Sequence, residues 1–145
     1  MINSLEIKIV PYQSEITAIR NIRSIVFLQE QKIAPELEFD GLDATAIHLL
    51  GYLNSQPVAT ARIRELDSKT AKIERLAVLP EARKQGMGEK LMQVAIETIT
   101  QQQKSTAIVH AQAYIARLYH RLGFEIVGEE FKEAGITHVK MVKQL

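Results

Sequence analysis

The chain has 145 residues and carries 18 Lys and Arg against 17 Asp and Glu, a formal net charge of +1. Its 46% hydrophobic and 24% charged residues exclude a disordered or collagen-like chain. It contains no cysteine, which excludes a disulfide scaffold, a thiolate metal site and a cysteine nucleophile. The length suits a single domain over residues 1–145, and the balanced charge argues against a dedicated nucleic-acid-binding protein.

No targeting or membrane-spanning segment is visible in the sequence. The first residues alternate apolar with polar side chains and contain no long apolar run. The most apolar stretch, residues 46–53, is interrupted by His48 and Gly51 and is far shorter than the ~20 residues of a spanning helix. We therefore expect a cytoplasmic protein with no membrane partner.

The first half of the chain predicts three strands and one helix. Residues 5–10 alternate apolar with polar side chains and end at Pro11, as a strand does. Ser14 is placed to cap a helix with apolar side chains at helical spacing, and Pro35 prevents its continuation. An acidic connection follows, and turn residues 54–57 then join two apolar runs into a hairpin. The hairpin strands are predicted at residues 46–53 and 58–63.

The second half predicts two further helices among strands. A strand over residues 71–79 ends at Pro80, and from Gly86 the apolar pattern takes the period of a helix. A second helix over residues 113–122 closes at Gly123. The remaining strands are predicted at residues 107–110, 124–127 and 136–142. This order predicts an α/β domain with a mixed, mostly antiparallel central sheet flanked by helices on both faces.

The segment Arg83-Lys84-Gln85-Gly86-Met87-Gly88 lies between a strand and an amphipathic helix. Its glycines let the backbone approach a ligand, and the free N–H groups at the helix start favour an anion such as a pyrophosphate. A solvated turn that only leads into the helix is the plain alternative. A Walker A spacing is absent, and a dinucleotide fingerprint fails because Leu91 stands where a third small residue is needed.

This loop resembles the acetyl-CoA motif of the GCN5-related N-acetyltransferases (GNAT). Residues 73–80 resemble that family's preceding strand, and residues 113–124 resemble its aromatic segment, with Leu118 where the family usually has Phe. Two further regions are similar to the ElaA/YjcF-like branch: an N-terminal set (Arg23-Ser24-Ile25-Val26-Phe27, Glu30-Gln31, Glu38-Phe39-Asp40, Asp43, His48) and residues 131–138 followed by Met141. The N-terminal pattern is also similar to acyl-homoserine-lactone synthases, which generally have longer chains and lack the glycine loop.

The resemblance implies a GNAT fold and an N-acetyltransferase that moves an acetyl group from acetyl-CoA to a primary amine, with no metal. The absence of cysteine favours direct attack in a ternary complex. The acceptor implied is a small-molecule amine or a peptide N-terminus, and a homodimer is one option for assembly. Two alternatives stay open: a catalytically silent acyl-CoA-binding sensor, and a lactone-synthase-like acyltransferase.

The resemblance also implies which residues bind the cofactor and which act on the thioester. Tyr119 matches the general acid for the leaving thiolate, although an aromatic residue that only packs under the sheet would fit the same pattern. Glu74 lies four residues before Val78, so both are expected to face one side of the sheet. It matches a position used for the amine's base, and a partner for Arg75 is the alternative. The implied cofactor contacts are Leu76, Ala77, Val78, Arg83, Lys84, Gln85, Gly86, Met87, Gly88 and Tyr119.

Four residues are candidates for binding the acceptor. His48 and His138 lie on strands from distant parts of the chain and would relay a proton or bind substrate if both reach the cleft. A hydrogen-bonded structural histidine is the commoner alternative for each. Arg23 and Glu30 share a helical face beside it, and Arg23 has the alternative role of pairing with the acidic connection. That connection would itself suit a cationic amine or form a solvated link. Its carboxylates are Glu36, Glu38, Asp40 and Asp43.

Overall fold

The computed structural model describes residues 3–145. Within these residues, seven strands and four α-helices follow one another, with a π-helix after the first helix and short 3₁₀ turns before the third and fourth. The strands are β1 Leu5–Val10, β2 Ile47–Leu53, β3 Gln56–Glu65, β4 Thr70–Val78, β5 Thr106–Gln112, β6 Glu125–Glu133 and β7 Ile136–Gln144. The α-helices are α1 Tyr12–Arg23, α2 Pro35–Glu38, α3 Met87–Gln101 and α4 Ala116–Arg121, and the π-helix is Ser24–Glu30.

The strands form one mixed sheet in the order β1-β2-β3-β4-β5-β7-β6. Neighbours pair antiparallel except β4 and β5, which are parallel because α3 carries the chain back across the sheet between them. Helix α3 packs on one face, where the side chain of Met87 lies directly against the backbone of Gly51 in β2. Helix α1 packs on β3 from the other face. The predicted mixed sheet with helices on both faces is confirmed.

Some local predictions differ from the structure. Helix α1 begins at Tyr12 rather than after Ser14, whose hydroxyl donates to the carbonyl of Pro11 at 3.2 Å. The acidic connection contains a short helix, α2, with Pro35 as its first residue, where a fixed φ suits a helix start. The predicted helix over 113–122 divides into a 3₁₀ turn and the short α4.

A buried ion-pair network joins the acidic connection to the sheet through Arg62 of β3. Arg62 is 1% exposed, and its guanidinium lies 2.9 Å from both Asp40 and Asp43. It also lies 2.6 Å from Glu74 on the neighbouring strand β4. Hydrogen bonds from Arg62 hold the pKa of Asp40 below its ordinary range. One cation therefore ties the loop between α2 and β2 to two adjacent strands.

Arg23, at the end of α1, forms the second centre of this network. Its guanidinium lies 2.6 Å from Glu38 and 2.7 Å from Asp43. Arg75 approaches Glu38 from β4 at 3.1 Å. Burial raises the pKa of Glu38 in spite of these cations. Burial alone would also raise the pKa of Asp43, but hydrogen bonds from Arg23 and Arg62 bring it below its ordinary value. Helices α1 and α2 are thus fixed on one face of the sheet.

We expect Arg62→Met to lower the free energy of unfolding by about 3 kcal/mol, because removing one partner of a buried ion pair leaves carboxylates desolvated and less paired. Arg64→Met is the matched control, since Arg64 is more exposed and pairs with Glu74 alone. It should lose about 1 kcal/mol or less. Urea unfolding followed by far-UV circular dichroism measures both, and equal losses would contradict the central role of Arg62.

Candidate active site

Strands β4 and β5 diverge and open the sheet. Among residues 3–145, their parallel pairing covers three residue pairs and ends at Lys72 with Ile108. Beyond this point β4 continues to Val78 and β5 to Gln112. At Arg75, whose φ is 58°, the register between β3 and β4 shifts by a bulge. A cavity of about 730 Å³, the β4–β5 cavity, lies between the diverging ends.

The glycine loop meets this cavity at the start of α3. Gly86 stands at the helix N-cap with φ of 83°, a left-handed conformation that glycine adopts without steric cost. A Cβ on Gly88 would lie 3.9 Å from the side chain of Val78, so α3 begins directly against β4. In the part of the chain that the structure describes, no side chain caps the first N–H groups of α3. The loop therefore presents free amide donors and the positive end of a helix dipole.

The predicted cofactor residues divide into two sets. Lys84 and Gly86 are exposed at the loop, whereas Met87 is buried against β2 and Gln85 accepts a hydrogen bond from Asn3 at 2.7 Å. Those that line the β4–β5 cavity are Leu76, Ala77, Val78, Arg83, Gly88 and Tyr119. The structure thus brings the strand residues and Tyr119 together and leaves the others to form the loop itself.

The side chain of Arg83 is engaged within the protein. Its guanidinium lies 3.0 and 2.5 Å from the two carboxylate oxygens of Glu30, and its Nε donates to the carbonyl of Val78 at 2.9 Å. Glu30 itself lines the β4–β5 cavity. The hydrogen bond with Glu30 raises the pKa of Arg83, and the one from Arg83 lowers that of Glu30. Glu30 therefore faces the cavity as part of an ion pair.

Tyr119 of α4 lines the cavity and is 5% exposed. Its ring packs edge-on against Phe124 with centroids 6.1 Å apart. Burial raises the pKa of its hydroxyl well above the ordinary value, with a smaller effect from Tyr114. The hydroxyl is therefore protonated at neutral pH and is available as a hydrogen-bond and proton donor.

Glu74 and Val78 lie on opposite faces of the sheet. Glu74 is paired with Arg62, and Ala77 is paired with Thr60. Since Thr60 and Arg62 are two residues apart and share a face, Glu74 and Ala77 share it as well. The expectation that Glu74 and Val78 face the same side is wrong, because the bulge inserts one residue between them.

Glu74 lines the cavity but is held by three cations. Arg62 donates to it at 2.6 Å, Arg64 forms a shorter contact, and Lys72 lies 3.3 Å away. Burial alone would raise the pKa of Glu74, but the hydrogen bond from Arg64 and the charges of Arg62 and Lys72 lower it. Its observed partners are these three and not Arg75. The role of general base stays a prediction, and this pairing counts against it because a base needs a free lone pair.

Two acceptor candidates reach the cavity and two do not. Glu30 and His138 line it. Arg23 lies in the buried ion-pair network instead, which is the alternative that the sequence left open. His48 is 1% exposed, and its Nε2 is 2.8 Å from the carbonyl of Asp43 while its Nδ1 has no partner. Burial lowers the pKa of His48, so a neutral ring stacks on Tyr12 away from the cavity.

Sequence comparison agrees with this geometry. Residues 27–145 match the model of a family described as an acetyltransferase (GNAT) domain. This chain belongs to the GNAT family. ElaA of Escherichia coli is 33% identical to it over 137 residues, which cover 91% of this chain and 89% of ElaA. The GNAT resemblance expected from the motifs is thus confirmed.

Solved structures share the fold over almost the whole chain. The crystal structure of Escherichia coli ElaA matches with a TM-score of 0.85 and 31% identity, covering 97% of this chain and 99% of ElaA. An acyl-CoA N-acyltransferase from Pseudomonas aeruginosa matches with a TM-score of 0.84 and 29% identity, covering 97% and 99%. A GNAT acetyltransferase from Elizabethkingia anophelis with acetyl-CoA bound matches with a TM-score of 0.70 and 18% identity, covering 97% and 98%.

The β4–β5 cavity also holds two residues to which the family motifs assigned no role. His110 of β5 and Glu133 of β6 line it beside His138. Glu133 and His138 come together across the tight hairpin of β6 and β7. His110 joins them through the antiparallel pairing of β5 with β7, which no spacing in the sequence indicates. Alternation along β5 and β7 is the signal that could have placed both histidines on one face. Within residues 3–145, no helix of this GNAT protein is long and apolar enough to cross a bilayer.

Proposed function

We propose that this protein transfers the acetyl group of acetyl-CoA to a primary amine by direct attack in a ternary complex. The proposal rests on the β4–β5 cavity, which joins the glycine loop at the start of α3 to the protonated hydroxyl of Tyr119. Family membership supports an acetyltransferase, and the Pseudomonas and Elizabethkingia structures are those of an acyl-CoA N-acyltransferase and of an acetyltransferase with acetyl-CoA bound.

The residues around the cavity fit coenzyme A. The amides from Gln85 to Gly88 would hold the pyrophosphate, since they include the uncapped N–H groups of α3. The edge of β4 at Ala77 and Val78 faces the gap left by β5 and would accompany the pantetheine arm. When bound, acetyl-CoA supplies an acetyl group activated as a thioester. A backbone N–H near Ala77 or Val78 would stabilise the negative charge that develops on the thioester oxygen.

Tyr119 would act as the general acid. Departure of the thiolate leaves a negative charge on sulfur, which a nearby proton donor would neutralise. The hydroxyl of Tyr119, which lines the cavity and is protonated at neutral pH as any phenol is, would donate its proton to this sulfur. The absence of cysteine from the chain supports direct attack by the amine rather than a covalent acetyl-cysteine intermediate.

The first test is cofactor binding. Coenzyme A at a hundred times its Kd should stabilise the fold by ~2.7 kcal/mol and raise the Tm by roughly 5–10 °C. Gly86→Val should abolish this increase, because a β-branched residue disfavours the left-handed backbone that starts α3. Gly128→Val is the matched control, since Gly128 has a similar φ of 81° and equally open space around it. This control should lose stability but keep the shift, and a wild-type Tm indifferent to coenzyme A would refute the proposal.

The second test is turnover. A thiol-release assay with acetyl-CoA and a library of amines should identify an acceptor, with the product mass increased by one acetyl group. A silent acyl-CoA sensor would bind coenzyme A in the first test and release no thiol with any amine in the second.

Tyr119→Phe should lower kcat by roughly 10²-fold or more, because the leaving thiolate loses its proton donor. The Kd for acetyl-CoA should change little, since the ring and its packing on Phe124 are kept. Tyr52→Phe on β2, away from the cavity, is the matched control and should keep wild-type turnover. A near-normal kcat for Tyr119→Phe, measured where chemistry limits the rate, would exclude Tyr119 as the acid.

A further inference from the structure

Two histidines share one wall of the β4–β5 cavity. In the β5–β7 and β6–β7 pairs, His138 lies opposite both Gln112 and Phe131. His110 is two residues before Gln112, so it projects from the same face of the sheet. The ring of Phe131 stacks on His138 with centroids 5.9 Å apart and meets His110 edge-on at 5.1 Å. Packing against one aromatic ring thus fixes the orientation of both imidazoles.

The carboxylate of Glu133 bridges these two rings. One oxygen lies 3.4 Å from Nδ1 of His110, and the other lies 3.5 Å from Nε2 of His138. The other carboxylates that line the cavity are already neutralised by arginine: Glu30 by Arg83, Glu38 by Arg23 and Arg75, and Glu74 by Arg62 and Arg64. Within residues 3–145, the ion-pair contacts of Glu133 are with histidine alone. Its negative charge is therefore available to a cationic ligand.

The tautomer of His138 is set by the backbone. Its Nδ1 lies 2.7 Å from the carbonyl of Ile136. Because a carbonyl oxygen can only accept, Nδ1 carries the hydrogen, and Nε2 of the neutral ring has a free lone pair. Nε2 lies 3.5 Å from the carboxylate of Glu133, so the two groups share one side of the cavity. Two acceptors side by side in a cavity wall are satisfied by a ligand that brings hydrogen-bond donors, and an ammonium group carries three.

We propose that Glu133 and Nε2 of His138 together bind the ammonium group of the acceptor amine, and that His138 removes its proton. This inference rests on the proposed function and assigns the residues that bind the acceptor in its ammonium form and deprotonate it. Glu133 anchors the cation, His138 is the base, and His110 is a positioning residue that donates from Nδ1 to Glu133.

The amine nitrogen loses two protons in the reaction, and the leaving sulfur gains one. An N–H bond of the ammonium breaks, its proton passes to Nε2 of His138 and then to solvent, and the electron pair stays on nitrogen. That pair forms the C–N bond with the acetyl carbon as the C–S bond breaks. Tyr119 gives its proton to sulfur and is restored by the second proton that nitrogen loses. The hydrogen bond from Nδ1 to Ile136 stabilises the imidazolium while His138 holds the first proton.

The charges around His110 suit its positioning role. Lys72 of β4, Lys140 of β7 and Glu133 of β6 face this ring. Burial and Lys72 lower its pKa, so the ring is neutral at pH 7 and leaves the charge of Glu133 uncompensated. A protonated His110 would instead neutralise the carboxylate and compete with an ammonium ligand.

Binding of butylammonium to the protein saturated with coenzyme A tests the anchor. Calorimetry should show that Glu133→Gln weakens this binding about tenfold or more, because a charge-assisted hydrogen bond is lost. Glu130→Gln, an exposed substitution on the same strand, is the matched control and should bind as the wild type does. Equal affinities for Glu133→Gln and the wild type would overturn the proposal. So would a wild type that binds no butylammonium while coenzyme A still raises its Tm, a result that leaves the transferase function standing.

Imidazole ¹⁵N NMR spectra test the tautomer and the contact. His138 should show a protonated Nδ1, and its Nε2 resonance should shift when butylammonium is added. A neutral His138 protonated at Nε2, or an Nε2 resonance that does not respond, would overturn its assignment as the base.

Kinetics with the amine found by thiol release separates the three roles. His138→Gln should lower kcat by about 10²-fold or more with little change in KM, whereas Glu133→Gln should mainly raise KM. His110→Asn keeps a nitrogen donor near the position of Nδ1 and should keep a near-normal KM, whereas His110→Leu should raise it. An unchanged kcat in His138→Gln would overturn its role as the base. Equal KM values in the two His110 variants would overturn its role as a positioning residue. The increase in Tm with coenzyme A shows that each variant is folded.

Discussion

The structure depends on how the buried guanidinium of Arg62 is satisfied. A charge in a sheet interior is tolerated only when carboxylates surround it, and here they come from the acidic connection and from β4. Because Asp43 also pairs with Arg23, the same set of charges anchors the end of α1. The wall of the cavity formed by the π-helix and α2 is thereby held against the sheet. An acidic segment that looked suited to an external cation is used instead to neutralise two arginines of the protein itself.

The cavity itself exists because two parallel strands stop pairing. The bulge at Arg75 and the divergence of β5 after Ile108 leave one edge of β4 without a strand neighbour. Unpaired backbone groups are costly unless water or a ligand satisfies them. A ligand with an amide-rich arm suits such an edge, and the glycine loop of α3 lies at its end. The donor side of the proposed reaction therefore follows from backbone geometry more than from any single side chain.

The acceptor side is built differently, from side chains of β5, β6 and β7. Most acids near the cavity are neutralised by arginine, so their number says little about affinity for a cation. What distinguishes Glu133 is that histidines contact it, and that one of these has its tautomer fixed by a backbone carbonyl. Removal of a proton from an ammonium needs both a charge to bind it and a lone pair to receive the proton, and this wall offers the two side by side.

The sequence by itself determined the order of the seven strands and of the helices α1, α3 and α4 among residues 3–145, the glycine loop and the family. These are local signals, since alternation, helical period and turn glycines act over a few residues. It also indicated that Tyr119 belongs to the site, because that residue is part of a contiguous motif.

Only the tertiary structure decided which charged and polar side chains face the cavity and which are buried in the protein. Arg23 and His48 were expected in the cleft and lie in the protein interior. The carboxylates of Glu38 and Asp43 pair with Arg23 there, and the backbone carbonyl of Asp43 contacts the ring of His48. Glu74 and Val78 lie on opposite faces of the sheet because one bulged residue between them reverses the alternation of side chains. The sequence of β4 contains no pattern that predicts this bulge. Glu133 and His138 meet across a local hairpin, but His110 reaches them only because β5 pairs with β7, and that pairing is set by the whole sheet rather than by spacing along the chain.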